Sequence, residues 1–305
     1  MNTAQNSGRH VAAVLQALLV AFLWATSWVL VKIGLIEVPP LVFAGLRYFS
    51  AFLILLVFLV LGRSRTQAAP LPRAAWFRLI LLGLVLYSLA QGALFVSLSR
   101  LPAVTVNLLL SFSSLAVALL SAVGSSEKPT LLQWLGVALT LIGALVYFHP
   151  AVLPAAQWFG VIAALVAVMA NAISTIVGRD LNRAGVHSPL QITVVSMGAG
   201  SAALLVTGIL VEGLPSIGLR IWLFILWLAA VNTAFAFTLW NHTLRTLSAV
   251  ESSVLNGTMM VWIPILAVVF LGEQVSLQQI IGLIAVGVGT LIVQLRARYR
   301  LGVRA

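Results

Sequence analysis

About ten apolar stretches of roughly 20 residues follow one another from Val11 to Val293, each long enough to cross a bilayer as a helix. Hydrocarbon offers no partner to a bare N–H or C=O, so stretches of this kind must bond their backbone internally, as helices. Hydrophobic residues make up 62% of the chain and charged residues 8%, against roughly 25% charged in soluble domains. The chain reads as an all-α polytopic membrane protein. Helices are expected at 11–32, 40–61, 75–99, 102–123, 131–148, 157–178, 189–211, 220–242, 248–271 and 277–295. Pro40, Pro102 and Pro189 fall at helix starts, where a missing donor does no harm. The first stretch is too long for a signal-peptide core and shows no clear cleavage site, so it reads as a retained helix. The intervening loops are short and leave no room for an inserted soluble domain. The absence of cysteine excludes disulfide and thiolate chemistry.

The formal net charge of +11 suggests nucleic acid until the charges are placed. Arg9, Arg63, Arg65, Arg73, Lys128, Arg179, Arg183, Arg245, Arg296, Arg298, Arg300 and Arg304 fall on one side of the expected helices. Only Lys32, Arg100 and Arg220 fall on the other, while Arg47 and Arg78 lie within helices. The positive-inside rule then puts both termini in the cytoplasm, with residues 296–305 as a basic cytoplasmic tail. No basic patch with interleaved aromatics is present, so nucleic-acid binding is not expected. The lipid bilayer is the expected partner of the basic loops.

The chain also repeats itself. At an offset of 146 residues, Glu127, Leu131, Gln133, Gly136 and Gly143 meet Glu273, Leu277, Gln279, Gly282 and Gly289. This gives one repeat over 11–148 and a second over 157–295. Five expected crossings separate Glu127 from Glu273, an odd number, so the copies face opposite sides. Two inverted five-helix repeats are the build of many secondary transporters.

With these motifs stand Trp24-Ala-Thr-Ser-Trp28, Lys32, Pro39-Pro40 and Leu46-Arg47-Tyr48. Their order, spacing and duplication resemble the drug/metabolite transporter superfamily, EamA type, over about residues 11–295. The resemblance implies export or exchange of small metabolites, amino acids included, through a central cavity. The second half departs from the pattern: Asn171 and Arg179 stand near where Trp24 and Lys32 would align, and no Pro-Pro pair follows.

Polar side chains in a bilayer face protein or water, so their helical phase marks candidate cavity residues. These are Trp24 and Trp28 on helix one, Arg47 on helix two, Tyr87 and Gln91 on helix three, and Asn107 and Ser111 on helix four. Asn171 and Ser174 on helix six, Asn232 on helix eight and Asn256 on helix nine complete the set. Each has a plainer alternative. Serines serve close helix packing, tryptophans anchor at interfaces, and Arg47 could snorkel or bond a carbonyl instead of a substrate carboxylate. Pro264 should kink helix nine and, with Gly257, is the candidate hinge. The paired glycines suit packing, or a weak homodimer through helices five and ten if the protein is not a monomer. Glu127 and Glu273 read as loop caps more readily than gates.

No acidic residue falls at mid-membrane, which disfavours a pump for lipophilic cations. No clustered His, Asp, Glu or Cys supports an enzyme, a metal site or a bound cofactor. The expected function is an inner-membrane exporter of small neutral or zwitterionic metabolites, amino acids foremost, working by alternating access. A drug or nucleotide-sugar exchanger of the same fold is the alternative; a scaffold or intramembrane enzyme is remote.

Overall fold

The computed structural model describes residues 2–62, 73–124, 131–149, 154–183, 188–243, 246–247 and 249–297. Glu127, His187 and most of the basic tail lie outside the described residues. The described chain is almost entirely helical. Eight helices are long and apolar enough to cross a membrane, joined by the shorter apolar helices Ala103–Val117 and Leu277–Val293. In chain order the elements are α1 (Asn2–Gly34), α2 (Pro40–Gly62), α3 (Arg73–Gly83), α4 (Gln91–Arg100), α5 (Ala103–Gly124), α6 (Leu131–Phe148) and α7 (Trp158–Arg183). They continue with α8 (Pro189–Glu212), α9 (Leu219–Ala229), α10 (Ala236–Thr243), α11 (Ala249–Gly257), α12 (Met259–Leu271) and α13 (Leu277–Ala297).

Three helices expected to be continuous are interrupted. A π-helical segment, Leu84–Ala90, joins α3 to α4, and a second, Ala230–Phe235, joins α9 to α10. The two start 146 residues apart, at the offset of the sequence repeat. In the first, the Gln91 N–H reaches the Leu86 carbonyl, the wide i to i+5 bond of a π turn. In the second, the Thr233 hydroxyl donates to the Leu228 carbonyl, five residues back, at 2.9 Å. The third interruption separates α11 from α12 at Thr258, whose hydroxyl donates to the Leu255 carbonyl at 2.6 Å. This break lies six residues before Pro264, which sits inside α12, so the discontinuity falls at Gly257–Thr258 rather than at the proline.

The chain divides into two compact units that do not follow the sequence repeats. The first contains Met1–Val29, Pro102–Ala155 and Phe235–Ala305; the second contains Leu30–Leu101 and Ala156–Ala234. Each therefore combines segments of both halves.

Helix ends receive partners of the right sign. In the second unit, the Glu212 carboxylate accepts the Leu41 and Val42 N–H groups at 2.9 and 3.1 Å. These are orphan donors of the first turn of α2, which opens on Pro40. Lys32 donates to the Leu98 and Leu101 carbonyls at the end of α4. In the first unit, the Glu273 carboxylate accepts the Ala103 and Val104 N–H groups at 2.6 and 3.0 Å. Gln278 donates to the Val146 and His149 carbonyls at the end of α6. Anions at amino ends and donors at carbonyl ends also match the helix dipole. Ser276 and Gln279 exchange bonds as a capping box at the start of α13, so the repeated Gln has a local structural role too.

Close packing in the first unit rests on glycine. A Cβ on Gly143 would lie 2.7 Å from the Val286 N and 2.8 Å from the Gly282 O. One on Gly289 would lie 2.6 Å from the Gly136 O. The four repeated glycines thus let α6 and α13 approach backbone to backbone, as small residues do in membrane helices. These glycine faces are turned on each other within one chain, in the packing role expected of them. Apolar side chains such as Leu145, Leu210 and Val211 remain more than 70% exposed, as a lipid-facing surface requires.

Gly143→Leu should destabilise the fold by at least about 1–3 kcal/mol through overpacking, whereas Gly218→Ala, with no atom near its added Cβ, should be neutral. Thermal unfolding in detergent, followed by tryptophan fluorescence, distinguishes the two. In the same assay Glu273→Leu should cost about 1–2 kcal/mol, the worth of a lost helix cap, and Glu273→Gln less.

Candidate polar sites in the two units

Within the second unit, α2 carries Arg47 one residue before Tyr48, and the segment from Leu84 to Phe95 faces them. Arg47 is 6% exposed. Its guanidinium carbon lies 5.1 Å from the Tyr48 ring centroid and 6.0 Å from that of Phe95. The Tyr48 hydroxyl donates to the Gln91 Oε1 at 2.7 Å. Its ring lies 5.7 Å from Tyr87 and 6.4 Å from Phe95, and Phe43 closes the group at 5.6 Å from Phe95. The structure therefore brings together three residues singled out from sequence: Arg47, Tyr87 and Gln91. Sequence reasoning passed over Tyr48 and Phe95. Their signals were the Leu46-Arg47-Tyr48 motif itself and the four-residue spacing of Phe95 from Gln91, one helical turn.

The electrostatics of this site are unusual. The Arg47 Nε is buried with no hydrogen-bond partner. Among the described residues the one ion pair is His10 with Glu251, at 3.1 Å in the first unit. Arg47 thus has no carboxylate within 4.0 Å among the described residues. Ring faces offset part of a guanidinium charge, and here they are its close neighbours.

The other second-unit candidates are bonded locally. Asn171 donates to the Ala167 carbonyl at 3.0 Å and Ser174 to the Ala170 carbonyl at 2.6 Å. Both are one-turn back-bonds that satisfy a polar group without any ligand. Asn232 is fully buried within the second π segment.

In the first unit, the Trp24 ring lies 5.4 Å from Phe237 and 5.3 Å from Trp240, forming an aromatic cluster. Trp28 is half-buried. Ser111 donates to the Leu108 carbonyl at 2.6 Å. Asn107 is 8% exposed, and its Nδ2 has no acceptor. Asn256 is exposed. Gly257, Met260 and Pro264 line, with α13, an apolar groove of about 620 Å³. These positions of α11 and α12 therefore face α13. No group of three or more His, Cys, Asp or Glu that could hold a metal occurs among the described residues.

Apolar spanning helices, interrupted by π segments and carrying a few buried polar groups, define a polytopic protein of the transporter type. The EamA-like transporter family profile matches the chain twice, over residues 11–148 and 158–295, and the chain belongs to this family. The uncharacterized transporter YoaV of Bacillus subtilis is 25% identical, over 92% of this chain and 95% of its own. The uncharacterized inner membrane transporter YedA of Escherichia coli is 27% identical, over 74% and 72%. A probable amino-acid metabolite efflux pump of Salmonella typhimurium is 28% identical, over 90% and 92%. A crystal structure shares the fold with a TM-score of 0.63 at 18% identity, covering 95% of this chain and 99% of that one. The protein is a multi-pass membrane transporter of the cell inner membrane.

Thr233→Val removes the hydroxyl that bonds the Leu228 carbonyl in the second π segment. It should destabilise the protein by about 1 kcal/mol, read as a lowered unfolding temperature beside an unchanged Thr175→Val control, whose hydroxyl is exposed.

Proposed function

We propose that this transporter exports small neutral or zwitterionic metabolites, amino acids foremost, by alternating access between two inverted repeats. The observation that carries this reading is the quality of its buried polar groups. They include Asn107, Asn232 and Tyr87, with Arg47 as the one buried cation among the described residues and the half-buried Gln91 bonded to Tyr48. Among the described residues no acidic side chain is buried, so nothing here neutralises a cationic drug. One buried arginine is thin provision for the several charges of a nucleotide sugar. The efflux-pump name of one relative over most of its length agrees with this reading.

In this proposal Gln91 and Asn232 in the second unit, and separately Asn107 in the first, offer hydrogen bonds to a solute's polar end, and Tyr87 and Trp24 offer apolar surface in their respective units. The interruptions near mid-helix supply bending points for the conformational change. The experiment is efflux from proteoliposomes loaded with a broad panel of amino acids and related metabolites. Saturable release of neutral members is expected, with Asn107→Leu lowering the rate about tenfold or more, as for one lost solute hydrogen bond. If no member of the panel moves faster than from protein-free vesicles, the reading is wrong.

A further inference from the structure

We propose that Arg47 is the subsite for a single carboxylate on the transported solute, which gives the reading above a definite chemical class. Four observations converge. The side chain is 6% exposed, and its Nε has no hydrogen-bond partner. No carboxylate of the described residues lies within 4.0 Å of it. Its two terminal nitrogens are not among the sealed polar atoms that lack a partner, so the fork keeps access to solvent-sized space. Finally, its near neighbours are the rings of Tyr48 and Phe95.

Arginine cannot escape this burial by losing its proton. A buried ion without a counter-charge is among the most unfavourable arrangements a protein can hold. Ring faces supply part of what is missing, and a carboxylate supplies the rest, because the guanidinium fork matches its two oxygens. The stoichiometry is one to one. Among the described cations of this unit, Lys32 is engaged by the Leu98 and Leu101 carbonyls, and Arg78, Arg100 and Arg220 are exposed. A second negative group on the solute would therefore find no partner here, which selects monocarboxylates over dicarboxylates and phosphates. The Tyr48–Gln91 bond fixes the ring that faces the guanidinium, and Phe43, Tyr87 and Phe95 offer apolar surface to the carbon skeleton beside the carboxylate.

The inference rests on the proposed export function only for its transport arm, so two measurements are paired. The first needs no knowledge of the physiological solute. In thermal unfolding of the purified full-length protein, hexanoate should raise the midpoint and hexanamide should not, and Arg47→Gln should abolish the hexanoate shift. The second compares L-leucine and L-phenylalanine with their amides in proteoliposome efflux. The wild type should favour the acids, and Arg47→Gln should erase that preference, about tenfold or more for one charge-assisted contact. Arg47→Lys should retain part of it. Equal shifts by hexanoate and hexanamide in the wild type overturn the proposal, whether or not the variants fold. So does an Arg47→Gln protein that keeps the wild-type preference for acids. A hexanoate-specific shift without any amino-acid efflux would leave this subsite standing and overturn the export reading alone.

Discussion

Hydrocarbon gives a bare amide or carbonyl nothing to bond to, and each one left exposed there costs several kcal/mol. The described helix ends and interruptions follow from that constraint. Glu212 and Glu273 close the open donors of α2 and α5, while Lys32 and Gln278 close the open acceptors of α4 and α6. Where the second π segment displaces the regular ladder, the Thr233 hydroxyl meets the Leu228 carbonyl. Ser111, Ser174 and Asn171 turn back on their own helices. Much of the polar chemistry that looks functional in the sequence is therefore engaged in keeping the backbone bonded.

The duplication takes on a sharper meaning in this light. Glu273, Gln279 and the four repeated glycines are structural: a cap for a neighbouring helix, a capping box, and a backbone-to-backbone contact. The π segments at Leu84 and Ala230 extend the duplication to a feature of conformation. The halves differ where side chains can vary without loosening the scaffold. Trp24 packs against Phe237 and Trp240 in one unit. At the repeat offset, Phe237 and Trp240 correspond to Gln91 and Leu94, and Asn171 stands near the counterpart of Trp24. One copy of this helix pair is aromatic and the other carries amides.

How much was legible in the sequence depends on which force set each feature. Spanning helices are dictated by transfer of apolar residues into lipid, a property summed over about 20 residues, so hydropathy finds them. Pro40 and Pro189 mark starts because a missing N–H is tolerated only there. The π segments escaped because a single wide turn leaves no residue signature; Leu84-Val-Leu-Tyr-Ser-Leu-Ala90 reads as ordinary helix. Of the two residues expected to bend this helix, Gly257 borders the break and Pro264 does not. Its ring disturbs the carbonyl of Met260, yet the break forms at Gly257–Thr258, where a hydroxyl can bond the Leu255 carbonyl. Glu212 was overlooked as a cap because its partners are 170 residues or more away in sequence. Arg47, Tyr87 and Gln91 stood out in the sequence because a polar group in a membrane helix demands a reason, and the structure sets them close together.

Subtracting the polar groups that are bonded internally leaves a short remainder. Arg47 Nε, Ser97 Oγ and Asn107 Nδ2 are buried atoms of the described chain with no partner. Their chemistry separates their roles. An unmet amide donor or hydroxyl costs about 1–3 kcal/mol, which a packed fold can carry, and any acceptor will satisfy it. Such a group can orient a solute but discriminates weakly among solutes that have an acceptor. A guanidinium is more demanding, because it stays charged and accepts only an anion as full compensation. In the proposed mechanism selection of the solute class therefore falls to Arg47.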